Sequence, residues 1–155
     1  MIFEEISEFA KDLPNLGAII GLDLGTKTIG LAVSDLLRNV ATPLETIKRE
    51  KFTKDAEKLL TVCDDRAIKG IVLGLPRNMD GTEGPRAQST RAFARNLNQK
   101  TNLMITFWDE RLSTVAAEKA LLEANTTRKR RSEVIDHVAA SYILQGALNR
   151  FRQLE

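Results

Sequence analysis

Three carboxylate positions in this chain stand where an acid needs a physical reason. Asp23 closes a short apolar run, Ala18-Ile19-Ile20-Gly21-Leu22, with the length and branching of a buried strand. The pair Asp109-Glu110 follows directly on another apolar stretch, Leu103 to Trp108. At about 100° per residue, Asp136 falls inside the arc formed by Val134, Ile135, Val138, Ala139, Ala140, Ile143 and Ala147. A lone acid on a packed face is costly, and three acids that converge repel one another unless a cation joins them. Hard oxygen donors select Mg²⁺ or Mn²⁺. With a phosphate as substrate, two such ions about 3.5–4 Å apart can activate water and stabilise a leaving oxygen. Two ordinary readings compete: Asp23 as a hairpin aspartate satisfied by loop amides, and Asp136 paired with an arginine such as Arg111.

Basic segments lie close to these acids in sequence. Arg128-Lys129-Arg130-Arg131 precedes the helix that carries Asp136, which suits contact with a phosphate backbone as well as a solvated loop. Lys27 sits in the turn Gly25-Thr26-Lys27 just past Asp23. The loop from Pro76 to Gly84 holds Arg77 and Asn78 and is followed by Arg86; Arg77 and Arg86 could help grip a backbone, and Asn78 could hydrogen-bond a phosphate or an acid of the site. Arg111 adjoins the second acid position. His137 falls on the polar side of its helix, whereas Phe107, Trp108 and Cys63 read as core residues.

The elements that must position these groups follow from periodicity. Residues 1–16 pattern as a helix with Phe3, Ile6, Phe9, Ala10 and Leu13 on one face, closed by Pro14 and Gly17. The run to Asp23, the glycine turn and Thr28 to Val33 form a hairpin. Thr42 to Ile47 is a third strand, edge-like because Pro43 cannot donate to a ladder. Then come a helix over 52–66, a strand over 69–75, a helix over 85–99 and a strand over 103–108. Two more helices follow, over 114–124 and 132–150, with Ser113 and Ser132 as N-caps. The sum is an α/β fold: a mixed five-stranded sheet, three antiparallel strands then parallel ones, with helices on both faces. At 155 residues, 43% hydrophobic and 28% charged, it is one globular domain. A net charge of +2 announces no overall nucleic-acid field, and one cysteine excludes an intrachain disulfide. With no long apolar run and no signal pattern, a cytoplasmic location and no membrane partner are expected.

Together these segments resemble the YqgF family of RNase H-like nucleases. The matching pieces are Gly21-Leu22-Asp23-Leu24-Gly25-Thr26-Lys27-Thr28-Ile29-Gly30, Gly74-Leu75-Pro76 with Asn78 to Pro85, Asp109 to Thr114, Arg128 to Arg131, and Asp136 with Ala139-Ala140 and Ile143-Leu144. The resemblance implies an RNase H-like nuclease domain over 18–155, preceded by an N-terminal helical extension over 1–17. It implies a divalent metal and endonuclease chemistry, with Asp23, Glu110 and Asp136 as catalytic acids and ligands of Mg²⁺ or Mn²⁺, two ions in all. It associates the chain with maturation of the 5′ end of the 16S ribosomal RNA precursor and hence with ribosome biogenesis. A Holliday-junction resolvase acting on branched DNA is the alternative. Lys27, Arg77, Asn78, Arg111, Arg128, Lys129, Arg130 and Arg131 are the expected nucleic-acid contacts.

Two other classes compete with a nuclease. Asp23-Leu24-Gly25-Thr26 also resembles the first phosphate loop of actin-like ATPases and sugar kinases, but the chain lacks a second glycine-rich loop and the length for two domains. A nucleic-acid-binding module without activity is opposed by the acids themselves, since carboxylates weaken phosphate binding. Structured RNA requires no symmetry of the enzyme, whereas paired cuts in a four-way junction call for a two-fold dimer. Both monomer and homodimer are compatible with the sequence.

Overall fold

A computed structural model describes residues 1–112 and 128–154, with side chains for 1–112 and 137–154. The elements are β1 (Ile2–Phe3), α1 (Ile6–Asp12), β2 (Ile20–Leu24), β3 (Thr28–Ser34), β4 (Ala41–Lys48), α2 (Phe52–Asp65), β5 (Gly70–Leu75), α3 (Pro85–Asn98), β6 (Met104–Asp109), a 3₁₀ turn (Glu110–Leu112) and α4 (Arg128–Gln153). One sheet runs in the order β1-β6-β5-β2-β3-β4. The β2–β3–β4 meander is antiparallel, and β5, β6 and β1 add to β2 in parallel.

The sheet therefore has six strands where five were expected. Ile2 and Phe3 pair with Ile105 and Thr106 of β6, and the N-terminal helix is confined to Ile6–Asp12. A strand of two residues leaves no period to read, and its partner lies far along the chain, so the spacing of Phe3, Ile6 and Phe9 reads locally as helix. The residues 1–17 are packed on the sheet: Phe9 is fully buried, stacks on Phe151 of α4 with centroids 6.0 Å apart, and meets Phe3 edge-on.

Apolar runs that do not alternate in sequence alternate between two cores in space. From β2, β5 and β6, Ile20, Leu22, Ile71, Leu73, Leu75, Ile105 and Phe107 face the core built with α2 and α3. Ile19, Val72 and Trp108 face the other, closed by α4 and α1. Strands buried on both faces have no solvent side to mark with polar residues. Pro43 occupies the edge strand β4 beside a register shift, where a missing ladder donor costs least. Cys63 is buried, and desolvation with the neighbouring Asp64 charge raises its thiol to about 12, so it behaves as a core residue.

Two boundaries differ from expectation. The last helix begins at Arg128, so the basic run is its first turn and Ser132 lies in its interior. Positive charge at a helix N-terminus opposes the dipole by a few tenths to about 1 kcal/mol per group, and Ser132, a residue type suited to capping, marked a later start in the sequence. The long apolar stripe downstream outweighs that cost. The predicted helix over 114–124, with its Ser113 cap, lies outside the described residues.

α4 crosses the sheet at close range because glycines lie beneath it. A Cβ on Gly21 would stand 2.7 Å from Leu144 Cβ and 3.2 Å from the Ala140 carbonyl oxygen. Neither atom is the end of a flexible side chain, so the helix itself must shift. Gly21→Ala is expected to cost about 1–3 kcal/mol of stability by overpacking, read as a lower urea midpoint at unchanged m value. An unshifted midpoint would show that the helix does not depend on this contact.

Candidate active site

A transverse row of residues crosses the sheet at the level of the first acid. Thr46 of β4 pairs with Gly30 of β3, and Gly30 pairs with Asp23 of β2. The register Leu22 to Leu73 sets Asp23 beside Gly74 of β5, which in turn pairs with Trp108 of β6. Asp23 shares its side of β2 with Gly21, the side on which α4 lies, and is only 4% exposed. Glycine thus flanks this buried carboxylate on both neighbouring strands, and beside Gly74 the place a side chain would take is filled by Ile143, whose Cδ1 would lie 2.5 Å from a Cβ there.

The two acids of the second position lie on opposite faces of the sheet. Glu110 lies just past β6, and its Oε1 would be 3.1 Å from a Cβ built on Gly74, on the α4 face. The structure therefore brings Asp23 and Glu110 to the same face with Gly74 between them. Asp109 has the parity of Phe107 and points to the opposite face. It is held there by Arg111, whose Nη2 donates to Asp109 Oδ2 at 2.6 Å, while Arg111 N donates to Oδ1 at 3.0 Å. Arg77 Nη1 stands 3.7 Å from the same carboxylate. Burial raises the Asp109 pKa, but hydrogen bonds from Arg111 and the charges of Arg111 and Arg77 outweigh it, so the group is held below its ordinary value.

Asp136 belongs to α4, and its side chain lies outside the described residues. Its backbone precedes by one turn Ala140, the residue whose carbonyl approaches Gly21. The next residue, His137, has its Nδ1 2.9 Å from Thr46 Oγ1, so this part of α4 lies over the row that contains Asp23. That pairing was not foreseen; it ties the only histidine to the edge strand.

The loop between β5 and α3 is a braced structure. Gly81 takes φ +90°, the left-handed turn conformation expected of the Asp80-Gly81 pair. Asn78 Nδ2 donates to Thr82 Oγ1 at 3.0 Å, and the Thr82 hydroxyl donates to Asp80 at 2.6 Å. Arg91 of α3 grips Glu83 through both Nε and Nη2, the latter at 2.8 Å, and reaches Glu4 at 2.7 Å. Its guanidinium also lies 5.0 Å over the Phe107 ring. The hydrogen bond from Arg91 lowers the Glu83 pKa, against a smaller effect of burial. Arg77 Nε adds an ion pair to Glu83 at 3.4 Å, and Arg111 Nη1 contacts the Met79 carbonyl at 3.4 Å.

Of the expected nucleic-acid contacts, Arg77, Arg111 and Asn78 thus hold the loop and the turn after β6, and Arg111 is engaged by Asp109. Lys27 is exposed in the β2–β3 turn, and residues 128–131 form the first turn of α4. Glu83 and Arg91 went unremarked in the sequence because residues eight apart across a helix start give no periodic signal. Among the described residues, no group of three acids, histidines or cysteines forms a metal cage. Asp23 and Glu110 supply hard oxygen donors on the Gly74 side of the sheet end, and the donor set fits Mg²⁺ or Mn²⁺.

The fold falls among the RNase H-like resolvases. The chain aligns with a Thermus thermophilus RuvC solved with a Holliday-junction substrate at TM-score 0.51 and 12% identity, over 82% of this chain and 91% of that one. It aligns with the yeast mitochondrial resolvase Ydc2 at TM-score 0.55 and 11% identity, over 96% and 85% of the two chains. Within that class, residues 17–150 match the family model described as RuvX, Holliday junction resolvase. Relatives named "Putative pre-16S rRNA nuclease" include one from Ruegeria pomeroyi, 73% identical over 99% of this chain and 100% of its own. Another, from Paracoccus denitrificans, is 71% identical over 99% and 98%. The chain belongs to the RuvX family, known also as YqgF, and is a nuclease of RNase H-like fold.

Because Glu83 and Asp109 titrate below their ordinary values when folded, their contribution to stability is complete above about pH 4.5 and is lost as pH falls through the lowered values. Replacing both, as Glu83→Gln with Asp109→Asn, is expected to lower stability at neutral pH and to flatten its fall in acid. Urea unfolding from about pH 7 down to about pH 3 reads this directly. Parallel acid curves for variant and wild type would remove these pairs from the account.

Proposed function

We propose that the chain is a divalent-metal-dependent endonuclease that processes the 5′ end of the 16S ribosomal RNA precursor, in the cytoplasm and as a step of ribosome biogenesis. The observation that carries the site assignment is the pairing of Asp23 and Glu110 on the α4 face with glycine between them. The names of the close relatives support the choice of RNA. Asp23, Glu110 and Asp136 would hold Mg²⁺ or Mn²⁺, two ions in all. When bound, the ions supply a water activated for attack and charge to stabilise the leaving oxygen.

The chain's own residues do the rest. Asp23 is fixed on a central strand buried on both sides, so its carboxylate needs little reorganisation when substrate arrives. Glu110 is oriented by the turn after β6, which the Asp109–Arg111 pair locks from the opposite face. Asp136 would be supplied by α4, whose His137 Nδ1 lies 2.9 Å from Thr46 Oγ1 of β4. Lys27 and residues 128–131 offer positive charge to the backbone flanking the cut. Arg77, Arg111 and Asn78 act mainly by holding the loop in place.

Asp23→Asn is expected to reduce Mg²⁺-dependent cleavage of a precursor 16S 5′ leader by roughly 10²–10³-fold or more, with the thermal unfolding midpoint preserved. Cleavage retained in that variant would remove Asp23 from the site. A DNA four-way junction in the same assay tests the alternative drawn from the family description: symmetric paired cuts there, with the leader left intact, would make the enzyme a resolvase.

A further inference from the structure

The arginines around the carboxyl end of the sheet fall into two groups. Arg77, Arg91 and Arg111 are neutralised by Glu83, Glu4 and Asp109. Arg49 and Arg86 have no carboxylate partner among the described residues. Each instead spends one donor on a main-chain carbonyl immediately after Asp23: Arg49 Nη1 donates to Gly25 O at 2.7 Å, and Arg86 Nη2 donates to Leu24 O at 3.1 Å. These bonds orient the two guanidiniums and leave their other N–H groups available. Between them opens a cleft of about 230 Å³, lined also by Thr26, Ser89 and Thr90. Thr90 donates its hydroxyl to the Arg86 carbonyl at 3.0 Å, whereas Ser89 is exposed.

Two fixed, unneutralised guanidiniums bordering one cleft are suited to a phosphate, since a guanidinium fork matches phosphate oxygens. Leu24 has the opposite parity to Asp23, so the cleft opens on the α3 side of the strand end whose α4 side carries the acids. We propose that this cleft takes one backbone phosphodiester of the nucleic acid, next to the linkage being cut, so that the strand straddles the end of β2. The proposal rests on the nuclease reading of the acids. Arg49 and Arg86 are then positioning residues, which set the register of the strand over Asp23.

The test is the binding of a dye-labelled RNA oligonucleotide, followed by fluorescence anisotropy across a salt series with a chelator present, so that nothing is cut. Arg49→Ala with Arg86→Ala is expected to weaken binding roughly tenfold, the scale of a charged hydrogen bond. It should also flatten the slope of log K against log salt by one phosphate, roughly 0.7 for a single strand. Because those substitutions also release the Leu24 and Gly25 carbonyls, Ser89→Glu is measured beside them. It sets a carboxylate in the cleft, leaves both arginine–carbonyl bonds intact, and should weaken binding in the same direction. Unchanged affinity and slope in both variants would overturn the cleft, as would a wild type that binds no RNA. Cleavage by wild type alongside unaffected binding in the variants overturns the cleft and keeps the nuclease. Weakened binding beside a wild type that cuts nothing keeps the cleft and overturns the nuclease.

Discussion

The close approach of α4 to the sheet is the constraint on which the rest of the site depends. A helix packed on ordinary side chains stands about 10 Å from a sheet. Here Gly21 lies against Leu144 and the Ala140 carbonyl, Gly74 lies against Ile143, and Gly146 lies on the Trp108 indole. Lost side chains on one surface are matched by small residues on the other, with Ala139, Ala140 and Ala147 fully buried in between. The same glycine that admits Ile143 leaves room for the Glu110 carboxylate. Packing and chemistry therefore draw on one feature, and a larger residue at Gly74 disturbs both.

Burying Asp23 at the centre of such a sheet is unfavourable unless its charge is used. The arginines nearest the second acid position, Arg77 and Arg111, are turned to the opposite face and paired there with Asp109 and Glu83, which lowers both carboxylate pKa values. A sheet end has two sides, and this one separates them by electrostatic role: acids on one, arginine pairs and the Arg49–Arg86 cleft on the other.

Much of this was legible in the sequence because it is local. The strand ending at Asp23, the hairpin after it, the proline-started helix α3 and the apolar arc of α4 each carry their own period or punctuation. Phe107 and Trp108 read as core and are core. What was not legible depends on pairing across the chain. Ile2–Phe3 form a strand only because Ile105 and Thr106 are there to meet them. The choice between Asp109 and Glu110 depends on the residue at which β6 gives way to a 3₁₀ turn, since a shift of one position exchanges the two faces. Arg49 and Arg91 carry no motif, and Arg86 was marked only by its place after the loop; which carbonyl or carboxylate each meets comes from the fold.

The division of the arginines also bears on how a phosphodiester can approach two acids at all. A carboxylate pair repels the substrate backbone, so binding energy must come from cations placed beyond the reacting centre and held away from the acids themselves. Arg49 and Arg86 are anchored on the Gly25 and Leu24 carbonyls, by bonds to groups that carry no net charge. The positive charge stays close to the site, stays on the far side of the strand, and remains available to the polyanion.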